Sequence, residues 1–344
     1  MSEPESPTGR RRLTAALAIG LAAAAYAAYL SARMPSDWVT DFDPVWAGAR
    51  ALAGGANPYA LPPAALHNSR GLFYPIPALV AALPLAWLPL HAARAAFAGA
   101  TAALCAWALF RRGWTLWPLF VSMAFVQTVV LVQWAPLLIF AALTPSCAGL
   151  LLAKPHMGAP LGFCEYVLPG VPDRRRLAAA SVSGVAMLAA SFSLFPGWVG
   201  EWLQAIHDSR HMTPALLRWQ AGGPLLLLAL LRWRQPEARL LVALAAVPQT
   251  PGVLEGVALF LVTRTVREAL WLAVLSYVAY IVGGLAWWDE ARFIGVYLSR
   301  ELAYYRAVGV AALWLLYVPC LVMVLRRPNN GALPARLEGT VARD

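Results

Sequence analysis

Asp37-Trp38-Val39-Thr40-Asp41-Phe42-Asp43-Pro44-Val45-Trp46 sets three carboxylates directly after an apolar run from Leu13 to Ala32. That run supplies about 20 residues, enough to cross a hydrocarbon core of roughly 30 Å. Acids and aromatics crowded where an apolar helix leaves the membrane mark a candidate site. The loop extends from Asp37 to Pro89, and most of the remaining chain reads as apolar helix.

Composition excludes an ordinary globular domain. The 344 residues are 60% hydrophobic and only 13% charged, against about 25% charged in soluble domains, and mean hydropathy is +0.61. This composition predicts an all-α polytopic membrane protein. The net charge of +10 is carried almost wholly by arginine, because Lys154 is the only lysine. The arginines stand in short clusters between apolar segments, as cytoplasmic loops do under the positive-inside rule, so no nucleic-acid partner is expected. Cys105, Cys147, Cys164 and Cys320 lie in or beside apolar segments without metal spacing and read as buried small hydrophobes. No Walker loop or GxGxxG is present, so no nucleotide-binding domain is indicated.

Residues 1–12 read as a cytoplasmic tail. Arg10-Arg11-Arg12 hold the start of the first helix inside and put the Asp41 loop outside, with the first extracytoplasmic loop at about 33–90. Trp46 to Leu52 has helical composition, Gly54-Gly55 ends it, and Asn57-Pro58-Tyr59 is a turn, which predicts a short helix along the membrane surface. Residues 73–90 could span, but an interfacial or re-entrant path puts Arg111-Arg112 inside and is preferred. Residues 134–153 form one helix or two bent at Pro136 and Pro145, and the two-helix version suits the later charges better. Alternation then continues to Arg326-Arg327, for roughly ten to twelve crossings of a transmembrane domain at 13–326, with a polar tail at 327–344 and both termini inside.

Candidate chemistry starts with the acids. An Asp at an extracytoplasmic surface can take a proton from a hydroxyl nucleophile. Asp43, directly before Pro44, suits a helix cap and leaves Asp41 free. Lys154 is either a snorkelling anchor or a point charge for a phosphate. Gln133 reads as a helix–helix hydrogen bond or a ligand contact, and Glu255 needs a partner or a watery cavity. His207 and His211 are four apart without a third ligand nearby in sequence, so no metal site is predicted.

The pattern Asp41-Phe42-x-x-x-Trp46-Ala-Gly-Ala-Arg50-Ala-Leu-x-Gly54-Gly55-x-Asn57-Pro58-Tyr59 resembles the first-loop signature of glycosyltransferase family 87. Phe73-Tyr74-Pro75-x-Pro77 and the prolines at 84 and 89 resemble its next element. Gln133 is similar to the Gln of a Gly-Gln element, with Val132 in the Gly position, and Ala148-Gly149 to Lys154-Pro155 resembles an Ala-Gly…Lys-Pro element. The resemblance covers residues 37–155 and thins afterwards. A Ser-x-Ser-Trp-x-His-His element of some members is absent, and Pro248 to Glu255 resembles a variant with Glu255 at the acid.

The resemblance implies a GT-C type bundle that transfers a hexose, most simply mannose, from a polyprenyl-phosphate donor to a hydroxyl on a glycolipid or glycan, inverting the anomeric centre at the extracytoplasmic face. Asp41 would be the base. Lys154, with Arg70 and His156, would meet the donor phosphate. Asp43, Trp46, Asn57, Tyr59, Tyr74, Gln133 and Glu255 would contact substrate, and no cofactor or metal is needed beyond the lipid-linked donor. A lipid-linked-sugar transporter and an inactive homologue serving as an assembly subunit are the alternatives. The arginine- and alanine-rich style suggests a bacterial plasma membrane.

Overall fold

The computed structural model describes residues 7–35, 38–66, 71–168, 173–209, 215–219, 221–248, 252–293 and 307–330. Every regular element among them is helical. Among the described residues five helices are long and apolar enough to cross a membrane: Gly9–Arg33, Leu90–Arg112, Arg174–Leu194, Val266–Leu285 and Ala307–Leu325. A sixth crossing is possible if the bent pair Met123–Val130 and Ala135–Leu143 counts as one. The chain is a multi-pass membrane protein.

Several of the apolar segments counted among the ten to twelve crossings fold as helices too short to span alone. Pro145–Ala153, Gly223–Arg232 and Val253–Val262 are 3₁₀ helices of nine or ten residues. At about 2.0 Å rise per residue each reaches only about 20 Å. Ile76–Leu85 is likewise a short helical stretch, in keeping with a 73–90 segment that does not span.

The helices are numbered here α1 (Pro7–Arg33), α2 (Asp43–Ala53), α3 (Ile76–Ala82), α4 (Leu90–Arg112), α5 (Met123–Val130), α6 (Ala135–Leu143), α7 (Pro155–Gly162), α8 (Arg174–Leu194), α9 (Trp198–Ser209), α10 (Pro236–Ala246) and α11 (Val266–Phe293). The apolar helix Ala307–Leu325 is α12.

The chain divides into two compact units. One comprises Met1–Trp114, Thr128–Gly158 and Ala179–His211; the other comprises Thr115–Gln127, Ala159–Ala178 and Met212–Asp344.

In the first unit, α1 and α4 run antiparallel in close contact. A Cβ on Gly20 would sit 2.7 Å from Ala103 Cβ, and one on Gly99 would sit 2.8 Å from Ala24 Cβ, so only glycine allows this approach. Small residues at such a crossing let backbones pack where lipid offers no hydrophobic drive. The 3₁₀ helix Pro145–Ala153 lies as tightly on α8: Gly149 N–H donates to Ser183 Oγ at 2.9 Å, and a Cβ there would lie 2.4 Å from the Ser183 carbonyl. Only 11% of the apolar window of α8 is buried, leaving most of it for lipid. The short helix expected after the first span is α2, with Val45, Ala49 and Leu52 buried in the unit.

In the second unit, Trp314 of α12 donates from Nε1 to the Ala221 carbonyl at 2.8 Å. Ser276 of α11 accepts the Met123 N–H at 2.9 Å. Arg327 is not part of a free tail. It is buried, with Nη2 2.8 Å from Glu268 Oε2 and Nη1 donating to the Val262 carbonyl at 2.9 Å.

Candidate functional site

The acid-rich run after α1 resolves into two carboxylates with different surroundings. Asp43 is fully buried. Its oxygens accept from Thr40 N–H at 2.8 Å, Thr40 Oγ1 at 2.6 Å, Arg94 Nε at 2.8 Å and Arg94 Nη2 at 2.5 Å. Arg94 comes from the first turns of α4, lies over the Trp38 ring at 4.8 Å and donates to the Trp38 carbonyl. The expectation that Asp43 caps a helix is corrected. The residue before α2 is Phe42, which makes no side-chain cap, and Asp43 spends its oxygens fastening the loop to α4. Sequence reading missed Arg94, although it is the only charged residue between His91 and Arg111 and intramembrane charges pair.

Asp41 is the open one, with its side chain 43% exposed. Gln133 Nε2 and Tyr74 Oη both donate to Asp41 Oδ2, the latter at 3.4 Å. Lys154 Nζ stands 3.9 Å from that same oxygen and donates to Gln133 Oε1 at 2.9 Å. The Gln133 amide therefore bridges the cation and the carboxylate. Every one of these contacts falls on Oδ2, and among the described residues no donor engages Oδ1. Gln133 and Lys154 are themselves buried.

Local folding explains the convergence. Asp41 N–H donates to the Leu131 carbonyl at 3.1 Å, fixing the loop to the α5–α6 connection. There the two helices bend by 111°, and Gln133 N–H closes a turn on the Thr128 carbonyl at 2.7 Å. Val132 takes φ +49, and among the described residues it alone has a positive φ without being glycine. A β-branched residue in the left-handed region is strained. This is the position where the resemblance has a glycine, and the next residue, Gln133, meets Asp41. Lys154 ends the 3₁₀ helix Pro145–Ala153, and its carbonyl receives the first N–H groups of α7 from Met157 and Gly158. The bend predicted at Pro136 lies instead at Val132, because Pro136 sits where proline suits a helix start.

Tyr74 is buried and packs on Phe73 and Trp134 at ring distances of 5.2 and 6.1 Å, so its hydroxyl reaches Asp41 from a fixed ring. Tyr59 donates to the Tyr74 carbonyl at 2.9 Å; burial first, and then the Glu201 carboxylate, raise its pKa. Asn57 Oδ1 caps the following turn by accepting Tyr59 N–H at 2.9 Å. Trp46 Nε1 donates to the Leu88 carbonyl at 3.1 Å, with Arg50 over its ring at 4.9 Å. Trp46, Asn57 and Tyr59 thus shape the loop that carries Asp41 and Tyr74.

His156 follows the Lys154 turn. Burial, and secondarily the Lys154 charge, push its pKa down to about 3, so the ring is neutral, and its Nε2 meets no hydrogen-bond partner. Arg70 and His211 lie outside the described residues. Glu255 belongs to the second unit, buried in the 3₁₀ helix Val253–Val262. Among the described residues no three His, Cys, Asp or Glu side chains gather as a metal would require.

No protein-family model, curated protein or solved structure matches this chain. The site stands on its own geometry. The first unit also holds an open groove of about 710 Å³ lined by Val80, Ser146, Cys147, Leu150, Val182 and Met187, among others. Three of these residues belong to the 3₁₀ helix that ends at Lys154.

Proposed function

We propose that the chain is a membrane glycosyltransferase that moves a hexose, mannose in the simplest case, from a polyprenyl-phosphate carrier to an acceptor hydroxyl, with inversion. The observation that carries this reading is the division of labour on Asp41. Oδ2 is oriented by Gln133 and Tyr74, while Oδ1 is left to accept a proton from the attacking hydroxyl, the geometry a positioned general base needs. Lys154 supplies the compact positive charge that a departing phosphate requires. Its tether to Gln133 keeps that charge within 4 Å of Asp41 Oδ2, and inversion would place the acceptor oxygen and the departing phosphate on opposite faces of the anomeric carbon. The apolar groove along Pro145–Ala153 would take the first prenyl units, delivering the phosphate to the end of that helix. The GT-C class follows from the resemblance over residues 37–155, and an extracytoplasmic site follows from the arginine clusters.

Purified protein in liposomes, given polyprenyl-phosphate-mannose labelled in the sugar and a membrane glycolipid extract as acceptor, tests the reading. The expected result is labelled glycolipid, with Lys154→Met raising KM for the donor. Label passing equally well from a nucleotide sugar without a lipid carrier, or from neither donor, would refute it.

A further inference from the structure

Three arginines of this protein meet protein groups in comparable ways, and one of them is incomplete. Arg94 presents its Nε and Nη2 edge to both oxygens of Asp43 at 2.8 and 2.5 Å. Arg264 presents the same edge to both oxygens of Glu237 at 2.7 Å each. This side-on fork is the strongest arrangement available between a guanidinium and a two-oxygen anion. Arg239, in α10, is only 6% exposed. Its Nη1 is held by the Trp233 carbonyl at 2.7 Å and the Arg234 carbonyl at 3.0 Å, which fixes the plane of the guanidinium. Its Nε and Nη2, the edge that binds carboxylate in the other two arginines, are buried and meet no acceptor among the described residues.

The surroundings do not neutralise it. Glu237, two residues away, is engaged by Arg264, and Glu268 is engaged by Arg327 and by Arg264 N–H. The other titratable group beside Arg239 is the Cys164 thiol, pushed up to about 12 by burial, so it offers no anion at neutral pH. Leaving a buried guanidinium with two unmatched donors is unfavourable. The nearby arginines Arg232 and Arg234 add to the positive field, and clustered arginine between helices is the setting in which lipid phosphates are bound.

We propose that the Nε/Nη2 edge of Arg239 is an oxyanion site in the second unit that takes a phosphate group, supplied by an anionic lipid headgroup or by free phosphate. The site is separate in chemistry from Asp41 and Lys154: it holds an anion and has no base beside it. Bound there, a phosphate completes the third fork and ties α10 to its anion as Asp43 ties α4 to the acid loop.

The test uses the full-length protein in lipid-depleted detergent. Thermal stability is followed while inorganic phosphate is titrated against chloride at equal ionic strength, and separately while short-chain phosphatidylglycerol is titrated against phosphatidylcholine. The wild type should be stabilised saturably by at least one probe. Arg239→Lys, which keeps the charge but loses the fork, should shift the half-saturating concentration upward about tenfold, and Arg239→Gln should abolish the response. A response to inorganic phosphate assigns a free anion, and a response to phosphatidylglycerol alone assigns a lipid headgroup. Stabilisation by neither probe overturns the proposal, as does an unchanged half-saturation in Arg239→Lys. The lysine variant keeps the test decisive if the glutamine variant does not fold.

Discussion

Replacing Asp43 by asparagine should damage the fold, whereas the same change at Asp41 should leave it intact. Asp43 has no exposed surface and accepts four hydrogen bonds, two of them from the Arg94 fork. Asparagine keeps one acceptor oxygen, turns the other into a donor aimed at a guanidinium, and leaves the Arg94 charge uncompensated. Removing one partner of such a buried pair costs roughly 3–5 kcal/mol, or a fall in Tm of about 4–7 °C for a chain of this size. Fluorescence-detected size exclusion after heating, in detergent, reads this directly without any substrate. Asp41 is 43% exposed on its side chain, and Asp41→Asn should move Tm by no more than about 2 °C. Replacing Asp43 and Arg94 together by methionine should recover most of the loss, because two apolar groups leave no stranded charge. The reasoning fails if Asp43→Asn keeps the wild-type Tm, or if the double variant is worse than the single one.

Three further outcomes follow from the same geometry. Val132→Gly should cost clearly less stability than Val129→Gly, because relief of a left-handed valine, about 1–2 kcal/mol, offsets the lost burial only at the first position; equal Tm losses would contradict the strained turn. Gly149→Ala should destabilise by at least about 1–3 kcal/mol, since its methyl would lie 2.4 Å from the Ser183 carbonyl, and a wild-type Tm would show that the helix can move away. His156 is held neutral, with a pKa of about 3 in the fold against 6.5 unfolded. The unfolded chain therefore binds the extra proton below about 6.5, and stability should drop as pH falls from there toward 3, by about 2 kcal/mol at pH 5. His156→Gln should flatten that slope in Tm measured between pH 7 and 5, and an unchanged slope would assign the acid lability elsewhere.

Much of this architecture is legible in the residues. The apolar runs that became α1, α4, α8 and α12 are long, with Arg94 the one charge inside the α4 run, so length alone identifies them. Gly54-Gly55 and Asn57-Pro58 carry local turn chemistry, and they end α2 and start the next turn as expected. The bend at Val132 carries no such mark, since a valine among valines signals helix or strand and its left-handed backbone is imposed by tertiary contacts. The short 3₁₀ helices are equally silent, because hydropathy reports how apolar a segment is and not its rise per residue. In the site, residue types pointed to Asp41, Gln133 and Lys154, which the fold brings together. They also pointed to Asp43, whose role depends on Arg94, 51 residues away. A partner at that distance leaves no trace in local spacing. The open fork of Arg239 was hidden for the same reason, because only the fold shows that Glu237 answers Arg264 instead.

The most direct test of the central claim is single-turnover transfer from labelled polyprenyl-phosphate-mannose by wild type and Asp41→Asn, at matched protein and with Tm checked for both. A general base predicts a loss of roughly 10²–10⁴-fold in rate with stability and donor binding unchanged. Transfer persisting at the wild-type rate in Asp41→Asn would contradict the account.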